Sequence, residues 1–155
     1  MFPLPKTRPA LLVAALATAV AACSPALNWR EVRPESTALL AMFPCKPGQQ
    51  ERSLPLAGAM VQMRLYACEA EGASWALSHA DVGDPARVGP ALQELRAALL
   101  QHLGRRGASA PPSPFSVPGM TPQAEAQRFT LRGERGGDGK AMELQVGLFS
   151  QGSVV

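Results

Sequence analysis

Five side chains in this 155-residue chain offer thiol or imidazole chemistry: Cys23, Cys45, Cys68, His79 and His102. Cys45, Cys68 and His79 together present three donors for a soft metal. A structural zinc site takes four ligands at close, characteristic spacings, and neither CxxC nor HxxxH occurs in the sequence. A dithiol redox centre lacks its CxxC for the same reason. Nucleophilic catalysis needs a base and a nucleophile within reach of each other; the available imidazoles are His79 and His102, and neither lies in a recognisable motif. Glu69 and Glu71 are poor candidates for a paired-carboxylate mechanism, because they sit in a turn, Glu69-Ala70-Glu71-Gly72, and not across a cleft. The glycines of Gly133-Glu134-Arg135-Gly136-Gly137-Asp138-Gly139 suggest a phosphate cradle, but no Gly-Lys-Ser/Thr and no helix follow them. These residues predict no catalytic constellation, no metal and no cofactor.

Cys23 stands in a different setting. Lys6 and Arg8 precede it, no acidic residue occurs before Glu31, and an apolar run of 13 residues extends from Ala10 to Ala22. A short basic start, an apolar stretch and small residues at its end are the marks of a secretory signal. At about 1.5 Å per residue the run spans roughly 20 Å, short of the roughly 30 Å needed to cross a bilayer core. Its last residues, Val20-Ala21-Ala22-Cys23, resemble the lipobox of bacterial lipoproteins. That resemblance implies that Cys23 is acylated and becomes the first residue of the mature chain. Ser24 at the next position implies sorting to the outer membrane, with the domain facing the periplasm. Several acyl chains on one cysteine hold a protein stably where a single chain does not. The same resemblance settles the odd cysteine count: with Cys23 lipidated, Cys45 and Cys68 remain in an oxidising compartment and a disulfide between them is expected. Ordinary secretion is the alternative reading of the N-terminus.

Loss of Lys6 and Arg8 with the signal also changes the charge. The full chain has 15 basic and 12 acidic residues, so thirteen and twelve remain. A near-neutral domain argues against a nucleic-acid partner. Arg105-Arg106, the sole adjacent basic pair, falls where a helix is expected to end, which suits the helix dipole. With aromatics at 5% of the chain, the core must be built from Leu, Val, Met and Ala.

The elements that must position these groups follow from pattern. Residues 23–36 read as a tether, with Trp29 a surface contact or packed on the domain's rim. Thr37 to Phe43 reads as a first strand stopped by Pro44. Val61, Met63, Leu65 and Ala67 alternate with Gln62, Arg64 and Tyr66, the period of a half-buried strand. Ser74 to Val82 returns as its hairpin partner, with Trp75, Leu77 and His79 on the inward face. Asp84-Pro85 opens a helix by capping and by a pre-set φ. Val88, Leu92, Leu95, Leu99 and Leu103 form its apolar stripe, suited to covering a sheet or a partner, and Gly104 ends it. Residues 107–122 are a Pro-rich connector or an extended ligand. Gln127 to Arg132 and Ala141 to Phe149 form a second hairpin, with Met142, Leu144, Val146 and Leu148 on one face. Val154-Val155 reads as the start of a further strand, which leaves a sheet edge unpaired.

The expected fold is α+β: an antiparallel sheet with one main amphipathic helix packed on a face, truncated at the C-terminus, so that a closing strand and helix are missing. The division is a signal peptide at 1–22, a tether at 23–36 and one periplasmic domain at 37–155. The lipobox, Phe43-Pro44-Cys45-Lys46-Pro47, Tyr66-Ala67-Cys68-Glu69-Ala70 and the helix start at Asp84-Pro85 resemble small uncharacterised proteobacterial lipoproteins. The Phe-Pro strand end followed by two hairpins around a helix also resembles the PsbP/Mog1-type fold, whose members act mostly as binding or assembly factors. These resemblances imply a non-enzymatic envelope module, held to the membrane through Cys23 and partnered by another envelope protein. An envelope hydrolase and a passive structural lipoprotein are the alternatives.

Overall fold

The computed structural model of the protein describes residues 27–103, 111–134 and 139–155. Cys23, the 1–22 segment, Gly104, Arg105-Arg106 and the centre of the glycine-rich turn lie outside the described residues. Strand β1 (Arg30–Val32) pairs antiparallel with β2 (Ala41–Phe43). The expected tether therefore contains a strand, and the first strand is shorter than its apolar sequence suggested. Pro34 and Pro44, both fully buried, flank this small ribbon and hold its ends by packing, not by alternation.

Strands β3 (Gly48–Leu56), β4 (Ala59–Ala70) and β5 (Ala73–His79) form a three-stranded antiparallel meander. Its turns, Ala57-Gly58 and Glu71-Gly72, have positive φ at both central residues: 48° and 77°, then 51° and 73°. Two such residues mark a type I′ turn, whose twist matches that of the strands it joins. β3 was not anticipated. Six of its first six residues are exposed, so it shows no alternation, and Pro55 sits where an edge strand tolerates it. Its cross-strand support is polar: Arg64 Nε donates to Glu51 Oε2 at 3.1 Å.

Asp84 caps the next element as expected. Its Oδ1 accepts from the Ala86 N–H at 2.9 Å, and a 3₁₀ turn at Pro85–Arg87 leads into α1 (Val88–Leu103). Val88, Ala91 and Leu92 are buried with Leu56, Val61, Ala80 and Val82 in one apolar cluster. β6 (Ser113–Pro114) lies within the Pro-rich connector and pairs with β7 (Gln127–Glu134), which pairs in turn with β8 (Ala141–Leu148). Phe129 and Leu131 are buried, as their alternation predicts, and Arg96 of α1 lies over the Phe129 ring at 5.8 Å.

The fold is thus α+β and sheet-rich, but the expected single sheet is three separate antiparallel sheets of two, three and three strands. The chain's last residues bridge the end of the meander to the turn after β8, and Leu148 of β8 packs against the cluster that includes Leu56 and Val61. Trp75 also departs from expectation: it is 43% exposed, packed edge-to-face against Trp29 at 6.3 Å between centroids. Leu77 is half-buried and His79 is buried, so the inward face holds at one end of β5 only.

Candidate functional site

β5 and β8 are both outer strands, the first bonded to β4 and the second to β7. After β8 the chain reverses in a tight turn. The Gln151 N–H donates to the Val154 carbonyl at 2.8 Å, and the Val154 N–H donates back at 3.0 Å. Val154 also bridges to Asp81, so this one residue lies as a middle strand between the two sheets. On the next step the Ala80 N–H donates to the Val155 carbonyl at 3.0 Å and the Val155 N–H to the Ala80 carbonyl at 2.9 Å.

Several side chains clamp this turn. The Asp81 carboxylate accepts from the Ser153 hydroxyl and, at 2.8 Å, from the Gly83 N–H, which together hold its carboxyl below the usual carboxylate range. Gly152 donates its N–H to Thr121 Oγ1 at 2.8 Å, and Gln151 Nε2 donates to the Gly119 carbonyl at 3.2 Å. The Pro-rich connector is therefore fastened to the C-terminal turn, which its composition alone did not indicate.

A cavity of ≈ 220 Å³ lies beside Val154 and Val155, between Ala76-Leu77-Ser78 of β5 and β8 from Leu144. Leu92, Leu95 and Leu99 of α1 line it, with Leu39 from the segment before β2. None of its lining side chains is charged. The leucine stripe is readable in the sequence as a partner surface or a sheet cover; here its outer part does neither among the described residues and faces an open slot. Leu39 belongs to the apolar stretch expected as a first strand, and nothing in the sequence sets it or the two edges at one slot, because each is ordinary until the fold places them opposite each other. A second, wider hollow of ≈ 670 Å³ lies along Pro112–Gln127, with Phe115, Val117 and Met120 in its lining.

The remaining sequence candidates fall elsewhere. Cys45 and Cys68 are joined in a disulfide, with Cα atoms 6.0 Å apart. It ties the segment after β2 to the middle of the meander and leaves neither sulfur as a free thiolate for a metal. His79 is buried beneath Tyr66, ring planes 12° apart and centroids 6.1 Å apart. Its Nε2 has no hydrogen-bond partner among the described residues. Burial, and then the Arg64 guanidinium opposite it, push the imidazole pKa below its usual value. Such a ring is neutral at neutral pH and packs as an aromatic. His102 is exposed near the end of α1, away from His79 in the sequence and on a different element. Glu69 accepts a 3.4 Å hydrogen bond from Ser74 Oγ, and Glu71 occupies the exposed turn. Among the described residues no three His, Cys, Asp or Glu cluster as metal ligands, and no helix is long and apolar enough to cross a membrane.

No protein family, curated protein or solved structure matches this chain. Among the described residues the slot combines the outer edges of β5 and β8, a leucine floor and the short pairing made by Val154 and Val155.

Proposed function

We propose that this protein is a lipid-anchored, non-enzymatic binding module of the bacterial envelope, held through Cys23 at the periplasmic face of the outer membrane. Its binding surface is the slot between β5 and β8. The observation that carries the binding reading is that slot's combination of uncharged lining, leucine floor and open strand edges. An apolar recess beside hydrogen-bonding strand edges is a place where a partner gains both burial and backbone pairing. α1 serves as the cover of the sheet face formed by Val61, Ala80 and Val82, and extends past it to floor the slot. The disulfide accords with an oxidising compartment, and the sequence Val20-Ala21-Ala22-Cys23 supplies the anchor.

The anchor is tested by expressing the chain in a Gram-negative host and determining the mass of its N-terminal peptide. An acylated Cys23 in the outer-membrane fraction is expected, and a soluble product with unmodified Cys23 overturns it. The binding surface is tested by placing a photo-crosslinking residue at Ala76, and separately at Arg52 on the far edge of the meander. Discrete adducts with envelope proteins are expected from position 76 alone; equal or absent crosslinking at the two positions removes the slot from consideration.

A further inference from the structure

Trp29 and Trp75 are the chain's two tryptophans, and both stand exposed, at 51% and 43%. They pack on each other, edge to face. A short series of bonds fixes them there. The Asn28 N–H, one residue before Trp29, donates to the Pro44 carbonyl at 2.8 Å. Cys45 follows Pro44 and is joined to Cys68, which lies directly across from Trp75 in the β4–β5 ladder. The disulfide therefore holds the backbone beneath both rings. Two large aromatic side chains are presented to solvent already ordered, so little freedom remains to be lost when something covers them.

Apolar surface continues along the β1–β2 ribbon. Phe43 turns into the core, so Met42 before it faces outward and is 51% exposed. Leu40, two residues further back, is exposed as well. Across from Met42 stands Glu31, whose carboxylate is paired with Arg33 at 2.7 Å, so the charges beside this surface answer each other. Single exposed apolar side chains are ordinary on a protein surface. Here, however, four of the five large ones among the described residues belong to the ribbon and its approach or to β5, which Trp29 touches. The fifth, Met60, lies toward the other end of β4, eight residues from Cys68. At about 3.3 Å per residue that is about 26 Å along the strand.

The length of the tether names the occupant. Six positions separate Cys23 from Trp29, and an extended chain covers at most about 3.6 Å per residue, so Trp29 stays within roughly 20 Å of the anchor. With Cys23 acylated, the bilayer meets this pair at high local concentration in every molecule. Tryptophan settles at the level of lipid headgroups, where its ring is in an apolar medium and its N–H can still bond. We propose that Trp29 and Trp75, flanked by Met42 and Leu40, form a docking face that seats on the headgroup region of the bilayer holding Cys23. Docking gives the domain one attitude on the membrane in place of a free swing about its tether. Successive side chains of a strand point to opposite faces, so seating Trp75 leaves the face of Ala76 clear. This inference rests on the anchor reading.

The test expresses the full chain in a Gram-negative host, purifies it from the membranes and inserts it into the outer leaflet of vesicles of phosphatidylethanolamine and phosphatidylglycerol. Tryptophan emission comes from Trp29 and Trp75 alone, so it reads the pair directly. Lipid brominated high in the acyl chain should quench that emission about twofold or more. Met42→Glu places a charge on the docking face and should remove most of the quenching. Met60→Glu, the same change at an equally exposed site on the far end of β4, should leave it intact. Both variants should keep the wild-type circular dichroism. Nearness to the vesicle through the tether alone would quench the two variants alike, so equal quenching in both overturns the docking face. An acylated chain whose emission bromolipid does not touch overturns it too, and the anchor stands. Unmodified Cys23 in the N-terminal peptide removes the anchor and this inference with it. Emission shielded from aqueous iodide but not quenched by bromolipid, increasingly so as protein concentration rises, means that a second copy covers the pair and overturns the membrane as occupant.

Discussion

Ala80 and Val155 exchange both of their backbone hydrogen bonds, at 3.0 and 2.9 Å, and so sew the C-terminal turn onto the end of the meander. Ala80 is buried at 1% exposure and belongs to the cluster that includes Val88 and Leu92, so this seam closes the core as well as the sheet. Deleting Val154 and Val155 removes four backbone hydrogen bonds, two to Ala80 and two within the Gln151 turn. At about 1 kcal/mol net for each, and less where water replaces the partner, the loss should be about 2–4 kcal/mol. Urea unfolding should show it as a lower midpoint, and an unchanged midpoint would mean that the seam adds no stability.

The disulfide between Cys45 and Cys68 spans 23 positions of sequence. Closing a loop of that size in the unfolded chain should stabilise the fold by about 3 kcal/mol. Thiol labelling before reduction should find neither residue reactive, and reductant or the Cys45→Ser/Cys68→Ser double variant should lower the thermal midpoint. Free thiols at both positions in the purified, unreduced protein would contradict the pairing.

His79 makes the fold sensitive to acid. Its folded pKa lies below the unfolded value of about 6.5, so the unfolded chain binds the proton more readily. Stability linked to His79 is complete above that value and declines as pH falls through the folded pKa. Wild-type stability should fall as the pH drops below about 6.5, while His79→Phe, which keeps the stack on Tyr66, should flatten that limb. Asp81 acts in a lower window. Its depressed pKa contributes stability above the usual carboxylate value that is lost as pH falls through the folded one. Chemical unfolding across pH in the wild type and in His79→Phe separates the two.

Gly72 has φ +73°, and a Cβ added there would meet no atom within 4 Å. Any cost of Gly72→Ala is therefore backbone strain alone, about 1 kcal/mol. Glu71→Gly relieves φ 51° at the neighbouring position but frees the unfolded chain, so its net effect should be within a few tenths of a kcal/mol. Equilibrium unfolding of the two variants distinguishes turn geometry from loss of contacts.

Gly147 lies on the β8 wall, and a Cβ there would come within 2.7 Å of the Phe115 ring. Gly147→Ala should displace that ring from its edge-to-face contact with Phe149, which has a 6.0 Å centroid separation. A cost of about 1 kcal/mol follows from lost packing. A change in the Phe115 side-chain NMR resonances checks the displacement.

Local physics was legible wherever one face of an element is buried. Val61 and Met63 on β4, Phe129 and Leu131 on β7, and Val88 and Leu92 on α1 each announced their element by period, and Asp84 announced where α1 would begin. β3 hid because its surface is nearly all exposed and its pairing with β4 leaves no apolar trace. β1 hid because three residues are too few to show a period, and its ends are held by buried prolines. Trp75 was misjudged because alternation specifies a face and not whether another layer covers it.

What the amino-acid order determined by itself was the set of half-buried elements, the cap, the uncharged leucine stripe and the cysteine-ended apolar run. Those depend on neighbours within a turn or two of chain, where propensity and periodicity act. The tertiary structure alone decided that the sheet divides in three, that Trp29 meets Trp75, and that β5 and β8 face each other across an apolar slot. Each joins residues far apart in sequence, and hydrogen-bonding edges carry no pattern of their own. The Ala80–Val155 pair and the packing of Leu148 on the cluster that includes Ala80 bring them together.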